Sequence, residues 1–439
     1  MNIWYNSFEV IYMPKKLLSV IIVVSLLFSF FSFSAGAVST FEAWQTGWED
    51  IKASSGYITL TPGEDETQMN FSWQSSFFST REQIVLGRKA DLSDAVQLRA
   101  KREFNLFGFE WTYNATAADL EENTVYYYRY TVDKAESEIY SFTTGDGEGV
   151  TALFVTDSQI GRSRGEQEEI YMNDTYGWTK TLETAAENNS FDFILSSGDQ
   201  VEDSYSEEQY TYFESPSVLR STPVAAAIGN HDFYTTNYSH HFNNPNDNTF
   251  TLFRWPAGQG YYFCYNGVLF IVVDSNNFMP TANRRIIKNA CKAYPEAKWR
   301  VLMMHHSPFD ASGADDIGNK FARATVVPFI DEFDIDICLS GHDHYYSRSH
   351  VIKDGEITSD INNTYAYKNP DGTLYITQNS SSGSNYSGIG DSVSEYCSVA
   401  LQERRQTYSI LDIDGDTLTV KSYHTDTNEM FDSVTIEKE

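Results

Sequence analysis

The sequence predicts an all-β sandwich followed by an α/β domain. From Val38 to Thr144 it consists of short alternating runs separated by turn residues, as in SGYITLTPGEDETQMNFSW. After the glycine-rich linker TGDGEG, which ends at Gly149, apolar strands alternate with helical stretches. Five of those strands end in polar side chains, and we therefore expect functional groups at the carboxyl ends of the strands.

The first 37 residues have the pattern of a secretory signal peptide. Lys15 and Lys16 form a basic region, the chain is apolar from Leu17 to about Phe31, and an A-x-A cleavage site ends at Ala37. We predict cleavage there and a secreted location, either extracellular or at the cell surface. A membrane anchor is the alternative. No later stretch of the sequence is apolar enough to cross a bilayer, so no transmembrane span is expected after cleavage.

Net charge and cysteine content limit the partners and the covalent links that can be expected. The 439 residues carry a formal net charge of −30 at pH 7, which argues against nucleic acid or an anionic membrane as a main partner. Four cysteines could form disulfides in three full pairings or remain free thiols, and none has metal-ligand spacing: Cys264, Cys291, Cys338 and Cys397. Cys338 lies inside an apolar run, so for that residue a buried free thiol and a disulfide are equally compatible with the sequence. The oligomeric state cannot be predicted.

The stretch LEENTVYYYRYTV, Leu120 to Val132, resembles the L-x-P-x-T-x-Y-x-Y signature of fibronectin type III domains. Thr124, Tyr126 and Tyr128 match it, whereas Glu122 replaces the usual proline. The resemblance implies that Tyr126 forms a tyrosine corner. We therefore predict a fibronectin type III-like domain over residues 38–148.

The second domain, residues 149–439, has the alternation of strands and helices that is typical of an α/β layer. The predicted strands are TALFVTD, FDFILSSGD, PVAAAIGNHD, VLFIVVDSN, WRVLMMHHSP and IDICLSGHDH. Helices are predicted around Glu166–Asn188, Glu207–Leu219, Thr281–Ala293 and Asn319–Phe333. From Gly372 onward strands return, including a hairpin whose turn DIDGDT contains an Asp-Gly signal.

Five successive strands end in candidate ligands. The blocks are Asp157 with Gln159, Asp199, Asn230 with His231, His305 with His306, and His342 with His344. Taken singly, each block is also compatible with an ordinary turn or with polar groups at a strand terminus. Five blocks in this order favour one shared site.

The series resembles that of the calcineurin-like metallophosphoesterases, D-x-(H), GDxx(D/E), GNH(D/E), H and GHxH. Here it stands as Asp157-Ser-Gln159, Gly198-Asp199-Gln-Val-Glu202, Gly229-Asn230-His231-Asp232, His305 and Gly341-His342-Asp343-His344. The preceding sandwich and the tail HDHYYSR are similar to the purple acid phosphatase subgroup. The resemblance covers about Gly149 to Arg348. It implies a four-layer α+β sandwich of two facing sheets flanked by helices, after an N-terminal domain like that of purple acid phosphatases.

The resemblance also implies a ligand set for two metal ions, which would be Fe, Zn or Mn because the mixture of donors does not fix their identity. In it Asp199 bridges the ions, Asp157, Gln159 and His344 complete one site, and Asn230, His305 and His342 complete the other. His231 would approach the substrate as the catalytic histidine, and Asp232 would orient it.

The sequence departs from the family pattern at two places. Glu202 stands where purple enzymes have a tyrosine, so a tyrosinate–iron site is not expected. Gln159 replaces the usual histidine, and a neutral amide oxygen is a weaker ligand for borderline metals.

Either His305 or His306 could be the ligand, and we take His305 because it directly follows the strand. Arg348 could contact a phosphate or pair with a carboxylate.

The function implied is a secreted dinuclear-metal phosphoesterase that hydrolyses phosphate monoesters of small molecules by attack of a metal-bound hydroxide, without a covalent phosphoenzyme. A phosphodiesterase or nucleotidase of the same fold is one alternative. A catalytically weakened cell-surface binding protein is another, supported by Gln159 and by the absence of an obvious basic cluster for substrate. Specificity is expected in loops such as Phe233 to Gly260.

Overall fold

The computed structural model describes residues 40–54, 56–79, 81–247, 255–312, 316–390 and 393–439. The signal-peptide prediction for residues 1–37 lies outside this part of the chain. Within it, no helix has the length and apolarity that a membrane span requires.

The N-terminal sandwich consists of two facing sheets. Its strands are β1 (Ile58–Pro62), β2 (Met69–Ser76), β3 (Ile84–Gly87), β4 (Val96–Leu98), β5 (Lys101–Asn105), β6 (Glu110–Ala117), β7 (Val125–Val132), β8 (Ala135–Glu136) and β9 (Tyr140–Thr143). One sheet has the order β1-β2-β6-β5, and the other has the order β4-β3-β7-β8 with β9 also paired to β7. Because side chains alternate along a strand, β7 places Tyr126, Tyr128 and Tyr130 in the core between the sheets. The Tyr126 hydroxyl accepts a hydrogen bond of 2.9 Å from the Glu121 backbone N–H, which is the geometry of a tyrosine corner.

The expectation of an all-β region from Val38 is wrong at its start. Two short helices precede the sandwich, α1 (Phe41–Gln45) and α2 (Trp48–Ala53). Their tryptophans pack on helices of the second domain, with ring centroids 5.5 Å apart for Trp44 and Tyr176 and 4.9 Å apart for Trp48 and Tyr212. Burial of these rings against a distant part of the chain therefore outweighs the local β-rich composition.

The second domain contains two mixed sheets. Its strands are β10 (Val150–Val155), β11 (Phe193–Ser196), β12 (Val224–Ala226), β13 (Tyr261–Tyr265), β14 (Val268–Val272), β15 (Trp299–Met303), β16 (Ile337–Ser340), β17 (Tyr346–Lys353), β18 (Glu356–Ile357), β19 (Ala366–Lys368), β20 (Thr373–Thr377), β21 (Cys397–Leu401), β22 (Thr407–Asp414), β23 (Thr417–His424) and β24 (Met430–Glu437). One sheet has the order β12-β11-β10-β22-β23-β24-β19. The other has the order β13-β14-β15-β16-β20-β17-β18, with β21 paired to β17.

Helices cover both outer faces of these sheets. They are α3 (Gln167–Asn188), α4 (Glu207–Glu214), α5 (Asn237–His241), α6 (Pro280–Ala293), α7 (Ile317–Thr325) and α8 (Val327–Glu332), with a 3₁₀ turn at Ser217–Arg220. A core of residues such as Phe154, Phe270 and Leu411 lies between the sheets, and separate cores lie beneath the helices on either side. The predicted four-layer fold is confirmed.

Two predicted helices are shorter than expected, and proline accounts for both. The helix expected over Glu207–Leu219 ends at Glu214, shortly before Pro216. The helix expected over Asn319–Phe333 is divided into α7 and α8, with Pro328 in the first turn of α8, where its missing N–H costs nothing.

All four cysteines are free. Cys338 is fully buried in β16, and burial raises the pKa of its thiol. Of the two alternatives left open by the sequence, the free thiol is the one observed.

Candidate metal centre

The candidate ligands lie where parallel strands end. β10, β11 and β12 are parallel neighbours in one sheet, as are β14, β15 and β16 in the other. Their carboxyl ends meet at one edge of the domain. Five of the predicted ligands adopt left-handed backbone conformations there, with φ values of 36° to 73°: Asp157, Gln159, Asp199, His342 and His344. Such conformations aim side chains out of the strand direction, and they are often found at functional sites.

Asp199, His305 and His342 form the centre of the cluster. One ligand atom from each lies within 4.8 Å of the other two. The His305 Nε2 atom is 3.3 Å from Asp199 Oδ2, 3.0 Å from Asn230 Oδ1 and 3.2 Å from His342 Nδ1. A single ring proton cannot satisfy three such neighbours together, whereas a cation bound among them could.

Burial and charge oppose each other in this group. Burial alone would raise the pKa of Asp199, but His305 and His231 hold the pKa of that carboxyl below its usual range. Burial alone would lower the pKa of His305, but Asp199 raises it to about 9. Without a cation, the two residues therefore form a buried ion pair, and a metal ion would compete with the proton on His305.

A second group contains Asp157, Gln159 and His344. Asp157 Oδ2 accepts hydrogen bonds from the Thr156 hydroxyl and the His342 backbone N–H. Its other oxygen, Oδ1, is buried and has no hydrogen-bond partner among the described residues, and it lies 3.5 Å from His344 Nε2. Gln159 Oε1 is likewise buried and unpartnered within the described chain. The Gln159 backbone N–H donates to the Asp199 carbonyl at 2.8 Å. Buried oxygens without a partner in the described part of the chain, one of them near an imidazole nitrogen, fit a cation site.

His305 and His306 point to different surroundings. His305 faces the cluster, and its Nδ1 is bonded to the Ser197 carbonyl at 3.1 Å. His306 Nδ1 is 2.8 Å from the Ser275 hydroxyl, and its ring is so close to Gly318 that no side chain would fit at that position. Burial, with the neighbouring His342 and His305, lowers the pKa of His306 well below its usual range. This arrangement favours His305 as the ligand and His306 as a neutral neighbour.

Two family models match parts of the chain. The family model for calcineurin-like phosphoesterases matches residues 151–346, and that for the purple acid phosphatase N-terminal domain matches residues 56–144. These matches identify a calcineurin-like phosphoesterase domain that follows an N-terminal domain of the purple acid phosphatase type. The match supports a phosphoric ester hydrolase and implies a phosphorylated substrate and divalent metal ions.

Solved structures share the phosphoesterase's fold at low identity. Purple acid phosphatase PPD1 from yellow lupin (Lupinus luteus) is 15% identical, with a TM-score of 0.72 over 88% of this chain and 74% of that one. A structure of PhoD is 12% identical, with a TM-score of 0.59 over 87% of this chain and 90% of that one. A search of curated protein sequences gave no significant match.

His231 of the phosphoesterase is held by Glu202 rather than by Asp232. The ring Nδ1 lies 2.8 Å from the Glu202 carbonyl oxygen and 3.4 Å from its carboxylate. Asp232 instead accepts hydrogen bonds from the backbone N–H groups of Gly229, Asp199 and Gln200. Burial, followed by the charge of Asp199, raises the pKa of Asp232 to about 7. Asp232 therefore fixes the loops that carry the ligands, and the expectation that it orients His231 is not supported by these contacts.

Two contributors were not anticipated as site residues. Asp316 Oδ1 lies 3.4 Å from His342 Nε2, and this contact lowers the pKa of Asp316. In sequence Asp316 shows only the signature of a helix N-cap, which it also is, since its side chain accepts a bond from Asn319 N–H. The carboxylate of Glu202 accepts a bond of 2.8 Å from Gln159 Nε2. Neither contact could be predicted from the sequence.

Arg348 is a structural residue of the phosphoesterase. It is fully buried, and its Nε and Nη2 donate to the two carboxylate oxygens of Asp432 at 2.7 and 2.9 Å. Of the two alternatives, contact with a phosphate or pairing with a carboxylate, the structure shows the carboxylate pair.

Proposed function

We propose that this protein is a secreted phosphatase that hydrolyses small phosphate monoesters at a two-metal centre. The observation that carries the proposal is the pair of buried oxygens on Asp157 and Gln159 that have no hydrogen-bond partner among the described residues. Asp157 accepts from the His342 backbone N–H, and the Gln159 backbone N–H donates to the Asp199 carbonyl at 2.8 Å, so both residues adjoin the cluster of Asp199, His305 and His342. One cation would be held by Asp157, Gln159 and His344, and the other by Asn230, His305 and His342, with Asp199 between them. Fe, Zn and Mn all suit these donors.

Bound cations would supply a nucleophile from water at neutral pH and neutralise charge on the phosphoryl group. The protein's own residues would stabilise charge or donate a proton, and would hold the ligand loops in place. His231 is at the edge of the cluster, with its side chain 29% exposed. Because the Glu202 carbonyl accepts the proton on Nδ1, the Nε2 atom is the one available to the substrate, where it would stabilise charge or donate a proton to the leaving oxygen. The Asp232 carboxylate keeps the Asp199 and Gly229 loops in place.

The enzyme assignment is tested with purified protein, metal analysis and two substrates. We expect two equivalents of metal per chain and faster hydrolysis of p-nitrophenyl phosphate than of bis(p-nitrophenyl) phosphate. D199N should lose metal and turnover together. H231A should retain metal and lose about 10²- to 10⁴-fold in turnover, as expected for a proton-transfer group. D360N, at an exposed loop position, is the control.

Two results would overturn the proposal. Full turnover in D199N would exclude a bridging role for Asp199, and a metal-loaded wild type with no hydrolysis of either ester would favour the weakened binding protein. Secretion is tested separately, because protein recovered from culture medium should begin at Val38.

A further inference from the structure

Four aromatic side chains form a continuous cluster on loops that adjoin the backbone of the candidate metal centre. Ring centroids are 4.0 Å apart for Phe233 and Tyr234, 4.8 Å apart for Phe233 and Trp255, and 6.0 Å apart for Trp255 and Phe278. We name these four residues the aromatic wall. Three of them fall within or at the border of the loop region in which the sequence places specificity, and Phe278 comes from the loop that follows β14.

The aromatic wall is tied to the backbone that carries the site. Phe233 and Tyr234 come directly after His231 and Asp232 in the chain. The Trp255 indole N–H donates to the Asn276 carbonyl at 3.2 Å. The Asn276 side-chain amide in turn donates to the carbonyls of Ile228 and Gly229, at 3.0 and 3.3 Å, immediately before Asn230. The wall is thus positioned by the same strand end that presents Asn230 and His231.

The wall is not simply part of the core. Phe233 packs partly against the core beneath α3 and α4, but Tyr234 and Phe278 remain 56% and 52% exposed. Exposed apolar surface of this kind, on loops that adjoin a cluster of charged ligands, is typical of a binding surface rather than of side chains that only pack in the core. The phosphoryl group would be held by the metal centre, so the adjacent apolar surface is available to the rest of the substrate.

We propose that the aromatic wall binds the leaving group, and that the preferred substrates are phosphate esters with an aromatic or other planar apolar leaving group. The inference rests on the proposed function and adds the substrate class. Stacked or edge-to-face rings interact more favourably than apolar area alone would give, whereas a short polyol leaving group gains nothing from such a surface.

The test compares the Y234A/F278A double variant with wild type. Both side chains are half exposed, so their removal leaves the fold intact. For 2-naphthyl phosphate we expect kcat/KM to fall about 10-fold, mostly through KM, whereas the value for glycerol 3-phosphate changes by less than about 2-fold. Y365A removes a ring that is 69% exposed elsewhere on the domain, and it should change neither value. An unchanged ratio of the two substrates in the double variant would overturn the inference.

A binding measurement separates this inference from the proposed function. Calorimetry with metal-loaded protein should give tighter binding of phenylphosphonate than of methylphosphonate, and the double variant should lose that difference. If wild type hydrolyses neither ester, the proposed function fails. The difference in affinity between the two phosphonates still shows whether the aromatic wall binds an aromatic group. Equal affinity for both phosphonates in wild type would refute it.

Discussion

At the scale of single residues, the two departures from the family pattern contact each other. Gln159 and Glu202 are 43 positions apart in sequence, and each alone weakens the resemblance. In the fold, the Glu202 carboxylate accepts the Gln159 amide N–H, which turns the amide oxygen away from Glu202. That oxygen has no partner among the residues that the structure describes. Because an amide can rotate to exchange its oxygen and nitrogen, this contact fixes which atom can act as a ligand.

Removal of the Glu202 carboxylate should therefore weaken metal binding. In E202A the Gln159 amide loses its fixed orientation, and we expect metal affinity to fall about 10- to 100-fold, the usual effect of losing a partner that orients a ligand. Competition with a chromogenic chelator measures this directly. The matched control is E356A, at an exposed strand position. Unchanged affinity in E202A would show that Gln159 does not act as a ligand in the proposed way.

At the scale of elements, the contact between the sandwich and the helices is polar and buried. His241 of α5 lies between two carboxylates of α4, with Nε2 2.8 Å from Glu207 and Nδ1 2.7 Å from Glu214. Glu214 also accepts from Thr59 of β1, and Glu207 accepts from Asn105 of β5. The helix and strand patterns could be predicted from the sequence, but this network could not, because its members lie on four separate elements with no shared periodicity.

Glu110 at the start of β6 makes this contact sensitive to pH. Burial, followed by the charge of Glu207, raises the pKa of Glu110 from 4.5 to about 8. The folded protein therefore holds a proton that the unfolded chain releases, so the free energy of unfolding contributed by Glu110 falls as pH rises from 4.5 to about 8. In E110Q, urea unfolding at pH 5 and pH 8 should show a smaller difference in stability than in wild type. An equal difference would mean that Glu110 titrates normally.

At the scale of the whole molecule, one ion pair joins the two sheets of the phosphoesterase domain. Arg348 lies on β17 of one sheet and Asp432 on β24 of the other, and Tyr346 also donates to Asp432 at 2.6 Å. The pair is buried between the two sheets, where apolar side chains form most of the core. Either partner alone would be an uncompensated buried charge.

Asp432→Ala should accordingly destabilise the protein by about 3–5 kcal/mol, the usual cost of leaving one buried charge unpaired. The R348M/D432L double variant should be less destabilised than D432A, because neither charge remains. Urea unfolding of the three proteins provides the comparison. A D432A loss below about 1 kcal/mol would indicate that water reaches Arg348.

The strand ends illustrate how far the sequence could predict this molecule. Apolar runs ending in polar residues were sufficient to predict an α/β layer and to bring Asp157, Asp199 and His342 to one edge, because parallel strands share an edge. The four-layer arrangement was implied by the family resemblance. The apolar runs were not sufficient to separate His305 from His306, since that depends on Ser275 and Gly318 from other elements. Nor could they assign Asp232 to the backbone N–H groups it accepts from.

The left-handed backbone at five of the proposed ligands has a consequence for reading relatives of this protein. Asp, Asn and Gly tolerate that conformation better than most residues, with or without a metal ion. A descendant that no longer bound metal would still tend to keep such residues at 157 and 199, and it would look intact in an alignment. His305 and Asn230 are not among the residues with positive φ. Their identity is set by the chemistry of metal binding rather than by backbone conformation. These two residues are therefore the better markers for distinguishing relatives that bind metal from relatives that do not.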